Sequence, residues 1–528
     1  MIKGKLRRVL PFASPFLFAI YPPLFLLSQN LSEYKLSVVG ISLVISVVLA
    51  SLIFLACFLI TKKLTIAAPI SSLLIIVSLS YGRFYEFFQG ISFLENSPVP
   101  LKILYVALLF CVSCMFIGLL FVLKKQLATL NMLLSIMSLV LVSFVLYNII
   151  SFEIWEGRVF RKDNFLISNN TKEDSPVNSP DIYYFIFDRY AGQSTLDKYD
   201  FDNSEFINFL SDKGFYVASS SASNYPKTFL SLASSLNMEY MDNLTDVTRQ
   251  GDSSDESIVT PYIQKNKVVE FLKNRGYSYI HMGSWWQPTT TNPNADKNFV
   301  IWKGTYWGTD EFTTGFINTT ILSTILNRIR INPLNVSENP FNNDHRRRFF
   351  FEFKTAIQEI PQIPGPKFVF VHILAPHDPF VVDEDCTPIN EKTVEQFTRR
   401  ENYTKQLMCT NSQIKEVVTA ILSSKNQSVI VLQADEGPFP MKYTLKHDDE
   451  WITADDNVLQ EKFPILNAYY FPDKKYDQLY ETISPVNSFR VIFNKYFGEN
   501  LNLLEDRSYI FQDKNNLYKF LDVTEKVK

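Results

Sequence analysis

The stretch Ile182-Tyr183-Tyr184-Phe185-Ile186-Phe187-Asp188 is apolar on both of its alternating faces and ends abruptly in a carboxylate. A strand wetted on one side alternates apolar with polar residues; one without that alternation is covered on both sides, as in parallel sheets flanked by helices. Similar runs recur at 278–282 (SYIHM), 368–373 (FVFVHI), 428–433 (SVIVLQ) and 465–471 (ILNAYYF). Helical patterns lie near 204–213, 226–238, 261–275, 345–358, 392–424 and 486–497. The alternation predicts an α/β domain whose mostly parallel sheet is covered by helices on both faces. Ligands of such sheets collect at the carboxyl ends of the strands, so the residues leaving those ends are the candidates for chemistry.

Three strand ends carry such residues. Asp188 follows the first run directly, although a lone Asp there is more often a turn or cap residue. The segment HILAPHDPF places His372 within a strand, where a buried, satisfied histidine is the plainer reading, and His377 in a loop between Pro376 and Pro379, where it can meet a ligand or metal. VLQADEGPFP releases Asp435 and Glu436 together before Gly437. Adjacent carboxylates at a buried strand end repel unless a cation or proton lies between them, and a divalent metal is the natural compensation; an acidic surface turn is the alternative. A fourth element is NYPKTFLSLASSLNM at 224–238: Pro226 suits a first helical position, leaving Thr228 in the first turn, where backbone N–H groups and the helix dipole favour a phosphate. Ordinary capping by Asn224 or Thr228 competes with that reading.

Upstream the chain changes character. Residues 1–152 hold 11 Lys/Arg and 3 Asp/Glu against 40 and 51 in the remainder, so the net charge of −3 and a mean hydropathy of +0.01 average two unlike regions. Disorder, a fibre and a strongly basic nucleic-acid binder are excluded. Five apolar runs, near 9–28, 37–61, 64–81, 101–123 and 130–152, have no charge in their middles and approach the ~20 residues that cross a hydrocarbon core. Lys3, Lys5, Arg7 and Arg8, then Lys62 and Lys63, then Lys124 and Lys125 fall at alternate turns; the opposite connections hold Lys35, Arg83 and Lys102 beside Glu33, Glu86 and Glu95. The charge bias places the first set in the cytoplasm and everything after the fifth span outside it. The third run, with about 18 residues and Pro69, is the weakest on that length criterion. The expected organisation is a five-helix transmembrane domain (1–152), a polar linker (153–180) and an extracytoplasmic domain (181–528). Cys386 and Cys409, the two cysteines outside the apolar runs, are available for a disulfide, a pairing that spacing alone leaves open.

The order Asp188, Asn224-Tyr225-Pro226-Lys227-Thr228, Pro376-His377-Asp378-Pro379 and Asp435-Glu436-Gly437 resembles the alkaline-phosphatase superfamily in its membrane-anchored, sulfatase-like branch. With five helices ahead of the domain, the chain is similar to lipoteichoic acid synthases and lipid A phosphoethanolamine transferases. The resemblance implies an alkaline-phosphatase-like α/β domain and transfer of a phosphorylated head group, phosphoglycerol- or phosphoethanolamine-like, from a phospholipid donor to an envelope glycan or lipid acceptor through a phosphothreonine. It makes Thr228 the nucleophile and a metal ligand, and Asp188 and Asp435 ligands of one divalent ion, Mn²⁺ or Zn²⁺. His377 is implied to contact the transferred group. The branch normally has His where this chain has Glu436; glutamate as a fourth ligand would favour harder ions, Mn²⁺ or Mg²⁺. Trp285, in Gly283-Ser284-Trp285-Trp286, and His447, in KHDDEW, are further candidates for the substrate pocket, while His281 reads as structural. Two readings compete: a hydrolase of the same superfamily that cleaves phosphate or sulfate esters, and a catalytically silent envelope-assembly protein that keeps the fold.

Overall fold

The computed structural model describes residues 10–31, 36–89, 101–122, 124–162, 179–248, 253–301, 311–329, 340–424, 426–443 and 451–528. The chain forms two compact units, one of Met1–Asn164 with Lys303–Phe341 and one of Phe165–Trp302 with Asn342–Lys528. That division departs from the expected one, because a segment inside the α/β region packs with the amino-terminal unit. The linker expected at 153–180 overlaps a helix that runs on to Lys162, and residues 163–178 lie outside the described set.

In the first unit every apolar run is helical: Ser14–Ser28, Val39–Thr61, Leu64–Leu79, Leu101–Val122 and Leu127–Lys162. Among the described residues two stretches, Val39–Thr61 and Lys124–Phe152, are long and apolar enough to cross a membrane; the others are shorter. Leu64–Leu79 keeps Pro69 inside it, as its weak pattern foreshadowed.

The second unit is built on a seven-stranded sheet. Its strands are β1 (Asp181–Phe187), β2 (Tyr216–Val217), β3 (Ser278–Met282), β4 (Lys297–Phe299), β5 (Lys367–Ile373), β6 (Ser428–Gln433) and β7 (Asn467–Tyr470), in spatial order β2-β7-β6-β1-β5-β3-β4. The five strands from β6 to β4 are parallel; β7 and β2 add an antiparallel edge. β1 is buried along its whole length, as is β5. Alternation divides their side chains between two cores: Tyr184, Ile186, Phe370 and Val431 pack with the helix Thr228–Asn237, whereas Phe185, Phe187, Val371 and Leu432 face the helix Arg399–Leu422. A period of two therefore decides which face each strand-end residue meets. Cys386 and Cys409 are disulfide-bonded with Cα atoms 5.0 Å apart, pinning the loop after β5 to the Arg399–Leu422 helix.

Candidate metal centre

Register brings the site together. β1 pairs with β5 so that Ile186 lies opposite His372, and with β6 so that Ile186 lies opposite Gln433. Two residues onward, Asp188 and Asp435 leave adjacent strands at the same level and on the face of the Thr228–Asn237 helix. Asp188, His372 and Asp435 offer ligand atoms that all lie within 4.8 Å of one another, and all three side chains are buried. His372 Nε2 stands 3.6 Å from Asp188 Oδ2, longer than a hydrogen bond. His372 Nε2, Asp188 Oδ1 and Asp435 Oδ2 are buried without a hydrogen-bond partner. Buried polar atoms are rarely left so, and a divalent cation would satisfy all three at once. The residues therefore fit a metal ion.

The surroundings orient these groups. His372 Nδ1 lies 3.1 Å from the Thr289 hydroxyl, so its other nitrogen is held toward the carboxylates, the usual arrangement around a metal-ligating histidine. Asp435 Oδ1 accepts from the Arg189 backbone N–H at 3.4 Å, and the nearby Thr228 hydroxyl favours the charged form of the Asp435 carboxylate. Thr228 opens its helix, which starts two residues later than the Pro226 start expected from sequence. Electrostatics set the two aspartates apart. Burial raises the Asp188 carboxyl, yet His377, His372 and the Arg189 guanidinium outweigh it and bring the group to about 2. Asp435 is pushed well above the usual carboxylate range by burial, then by the charges of Asp188 and Glu436. Two carboxylates forced apart in this way share a deficit of positive charge that a cation would fill.

Glu436, expected as a fourth ligand, falls outside the group of ligand atoms within 4.8 Å, although its Oε2 is likewise buried without a hydrogen-bond partner. Its Oε1 accepts from Arg189 Nε at 2.9 Å and pairs with Lys462 Nζ at 2.9 Å. The buried Lys462 and the partly buried Arg189 hold that oxygen by charge. Lys462 is fully buried and also donates to the Gly437 carbonyl at 2.9 Å. A Cβ on Gly437 would overlap the Lys462 carbonyl, so only glycine lets the loop lie against that residue. Arg189, in the left-handed region at φ 61°, reaches across to Asp378 Oδ1 at 3.2 Å, joining the loops after β1, β5 and β6. Neither Arg189 nor Lys462 stood out in the sequence; the one signal was a basic residue immediately following the strand-end carboxylate.

The remaining candidates separate. His377 donates its backbone N–H to the Asp188 carbonyl at 3.2 Å and sets its ring beside Asp378, at the margin of the site. A cavity of about 540 Å³ opens there, lined by Asp378, Phe380, Phe397, Arg399 and Asn402. Trp285 packs edge-on to His345, 5.8 Å between ring centroids; it is Trp286, at 6.5 Å, that faces His372. The strand's alternation and the turn after it decide which of the two tryptophans looks inward. His281 hydrogen-bonds Tyr279 and the Thr289 carbonyl, and burial lowers it to about 4, a structural role as expected. His447 lies outside the described residues.

A search of curated proteins returns no match. Among solved structures the chain is similar to the C-terminal periplasmic domain of EcEptC from Escherichia coli (12% identity, 66% of this chain and 94% of that one, TM-score 0.40). It is also similar to the C-terminal periplasmic domain of the phosphoethanolamine transferase EptC from Campylobacter jejuni (11% identity, 63% and 95%, TM-score 0.38). A third is the integral membrane lipooligosaccharide phosphoethanolamine transferase A from Neisseria meningitidis (12% identity, 91% and 94%, TM-score 0.36). The family model described as Sulfatase matches residues 185–489, more than half of the chain and the whole of the stretch that carries Asp188, Thr228, His372 and Asp435. The chain belongs to the sulfatase family.

Proposed function

We propose that the protein is a membrane-anchored, metal-dependent transferase that moves a phosphorylated head group from a phospholipid to a cell-envelope acceptor, with Thr228 as the nucleophile. The observation that carries this reading is the Asp188–His372–Asp435 group with the Thr228 hydroxyl, at the start of its helix, near enough to act on the Asp435 carboxylate. Those three residues would hold the ion, Zn²⁺ or Mn²⁺ by their mixed imidazole and carboxylate set. The pairing of Glu436 Oε1 with Arg189 and Lys462 weakens the expected preference for harder ions. A bound divalent ion supplies Lewis-acid stabilisation of phosphoryl charge and activates a hydroxyl.

The protein's own groups do the rest. Asp435, beside the Thr228 hydroxyl, is placed to receive its proton as Oγ attacks phosphorus. The P–O bond to the diacylglycerol breaks, the proton taken from Thr228 passes to the departing oxygen and a phosphothreonine is left; an acceptor hydroxyl then displaces Thr228, its proton returning to the threonine oxygen. The amino end of the Thr228–Asn237 helix favours the phosphate charge. His377 contacts the transferred group, and the cavity beside Asp378 and Arg399 gives it room. The alternating basic turns support five spans with the second unit outside the cytoplasm, and the Cys386–Cys409 disulfide fits an oxidising compartment.

The test is to reconstitute the full chain in nanodiscs with head-group-labelled phospholipids and Mn²⁺ or Zn²⁺. A labelled adduct on Thr228 by mass spectrometry, with metal-dependent release of diacylglycerol, is the expected outcome. Neither adduct nor release across the common phospholipid donors would overturn the proposal. Release of the head group to water without any acceptor would make the protein a hydrolase of the same family.

A further inference from the structure

Residues 312–327 (FTTGFINTTILSTILN), within the α/β region of the sequence between β4 and β5, contain no charged residue and are bounded by Glu311 and Arg328. They form two short helices, Glu311–Asn318 and Ile321–Ile329, and belong to the amino-terminal unit. Phe312 shares a buried cluster with Leu24, Leu27, Val39, Val142, Val145 and Ile149. Phe316 and Ile317 share another with Phe18, Ala19, Ala50, Ile75 and Leu79. Ala50 stands about 17 Å along its helix from Val39, at 1.5 Å per residue, roughly mid-depth in a 30 Å hydrocarbon core.

The polar atoms of the segment are satisfied as a water-poor setting requires. Ser42 Oγ donates to Thr313 Oγ1 at 3.3 Å, in a buried contact. At the bend, the Gly82 N–H donates to the Thr319 carbonyl at 2.8 Å, the Thr319 and Thr320 N–H groups bond back into the preceding helix, and the Leu322 N–H finds the Thr320 hydroxyl. The hydroxyls of Thr319, Thr320 and Ser323 return to carbonyls three residues earlier. Non-helical backbone at bilayer depth is tolerated only when it is satisfied in this way and buried in protein. A Cβ at Gly82 would come within 3.0 Å of the Thr319 Cα, so this close approach depends on glycine.

We propose that residues 311–329 are a re-entrant membrane element, which leaves the α/β domain, dips between the amino-terminal helices and returns on the same side. The residues it meets near the helix ends, Leu27, Val39, Leu79, Gly82 and Ile149, flank the connections that the charge bias assigns outside the cytoplasm, the side from which the domain's chain must enter. This rests on the reading that the first unit lies in a bilayer. It makes the excursion a second covalent tie between the exported domain and the membrane, in addition to the segment after Lys162.

The experiment uses the full chain with Cys57, Cys111 and Cys114 replaced by Ala and the Cys386–Cys409 disulfide kept. Ser42→Cys combined with Thr313→Cys is oxidised in membrane vesicles, with Ser42→Cys combined with Ser211→Cys as control. A cross-link in the first pair alone is expected. A single Thr313→Cys should react with an aqueous maleimide at least about tenfold more slowly than Ser211→Cys, as a protected site does. Retention in the membrane pellet after alkaline carbonate, with no cross-link and equal labelling rates, would overturn the re-entrant element alone; loss of the chain to the supernatant would overturn the membrane reading and the inference with it. If the paired variant does not accumulate, hydrogen exchange on the unmodified chain in nanodiscs decides: peptides covering 311–329 should exchange at least about tenfold more slowly than the surface helix Ser204–Asp212, which buries only Phe206 and Leu210, and equal rates would overturn the proposal.

Discussion

The two units of this chain are turned inside out with respect to each other. In the first, Ser14, Ser42, Ser46, Ser71, Ser72, Asn131, Ser135 and Ser138 are buried, while Ile60 and Val122 are 82% and 80% exposed and Val44, Leu52, Val140, Phe144 and Tyr147 also face outward. In the second, the whole of β1 from Ile182 to Phe187 is fully buried and few large apolar side chains reach the surface. Water explains the second pattern, because burying apolar area is what stabilises a domain in water. It does not explain the first: an apolar surface of that extent in water is an aggregation site. In lipid there is no hydrophobic drive between helices, so small and polar residues make the contacts and apolar ones face the solvent. The first unit thus has the pattern expected of lipid solvation and the second that of water.

The largest expected effect tests whether chemistry is confined to the second unit. Thr228→Ala should lower metal-dependent turnover by about 10⁴-fold, equivalent to about 5.5 kcal/mol, while leaving thermal unfolding within about 0.5 kcal/mol of the parent; activity near the parent's would move the nucleophile elsewhere. Next comes the buried charge of the second unit. Glu436→Ala removes the carboxylate that Arg189 and Lys462 share, leaving Arg189 its pair with Asp378 and the buried Lys462 its bond to the Gly437 carbonyl, and the domain should lose about 3 kcal/mol in denaturant titration, the low end of the cost of breaking a buried ion pair. An unchanged midpoint would show that Lys462 takes its charge compensation from another group.

Outward-facing positions sharpen the contrast directly. Val140→Arg, at the middle of a long apolar helix, should cost about 3 kcal/mol of membrane insertion, read as loss of glycosylation-tagged or protease-protected chain. Leu521→Arg, an exposed apolar position of the second unit at 41% against 61% for Val140, should stay within about 0.5 kcal/mol. Equal effects would erase the distinction between the two solvents. Opening the 23-residue separation between Cys386 and Cys409, by Cys386→Ala with Cys409→Ala, should cost about 3 kcal/mol through loop entropy in the unfolded chain; a shift well below 1 kcal/mol in the melting of the second unit would count against that account. Smallest is Ser72→Ala, which removes the 2.9 Å bond to Ser14 inside the helix bundle. About 0.6 kcal/mol is expected, the average for such bonds in membranes, and a value near that of Glu436→Ala would mean that the first unit's interior behaves like the second's.

Much of the sheet was legible because its central strands are apolar on both faces. β3 and β6 run over the residues read from sequence, and β1 and β5 differ by one residue. β2 and β4, with two and three residues, carry no pattern to read. The helix expected at 261–275 breaks in two where the Asn266 side chain caps the Val269 N–H at 2.8 Å. The long helix begins at Arg399 rather than near 392, at a capping box of Thr398 and Glu401 that the sequence does display. At the site, Asp188, Asp435 and Thr228 were visible from their places at element ends. His372 was not, because a histidine inside a strand points at a site or at a core according to parity and register. Glu436 and Trp285 went the other way, since adjacent residues look alike in a sequence and turn to opposite sides in a structure.

What the amino-acid order determined alone is everything that follows from local periodicity and composition: five apolar helices, an α/β domain, strand ends that release carboxylates, a threonine at a helix start and two regions of opposite charge. Only the tertiary structure decided which groups meet. Lys462 lies 26 residues from Glu436 and Arg189 lies 247 residues from it, yet both pair with its Oε1 beside Asp188, His372 and Asp435. The excursion at 311–329 was likewise beyond the sequence, because its uncharged helices suit a domain core and a bilayer equally. The reason is the same in each case: period and propensity act between neighbours along the chain, whereas charge pairing and burial act across space and are settled only when distant segments have been brought together.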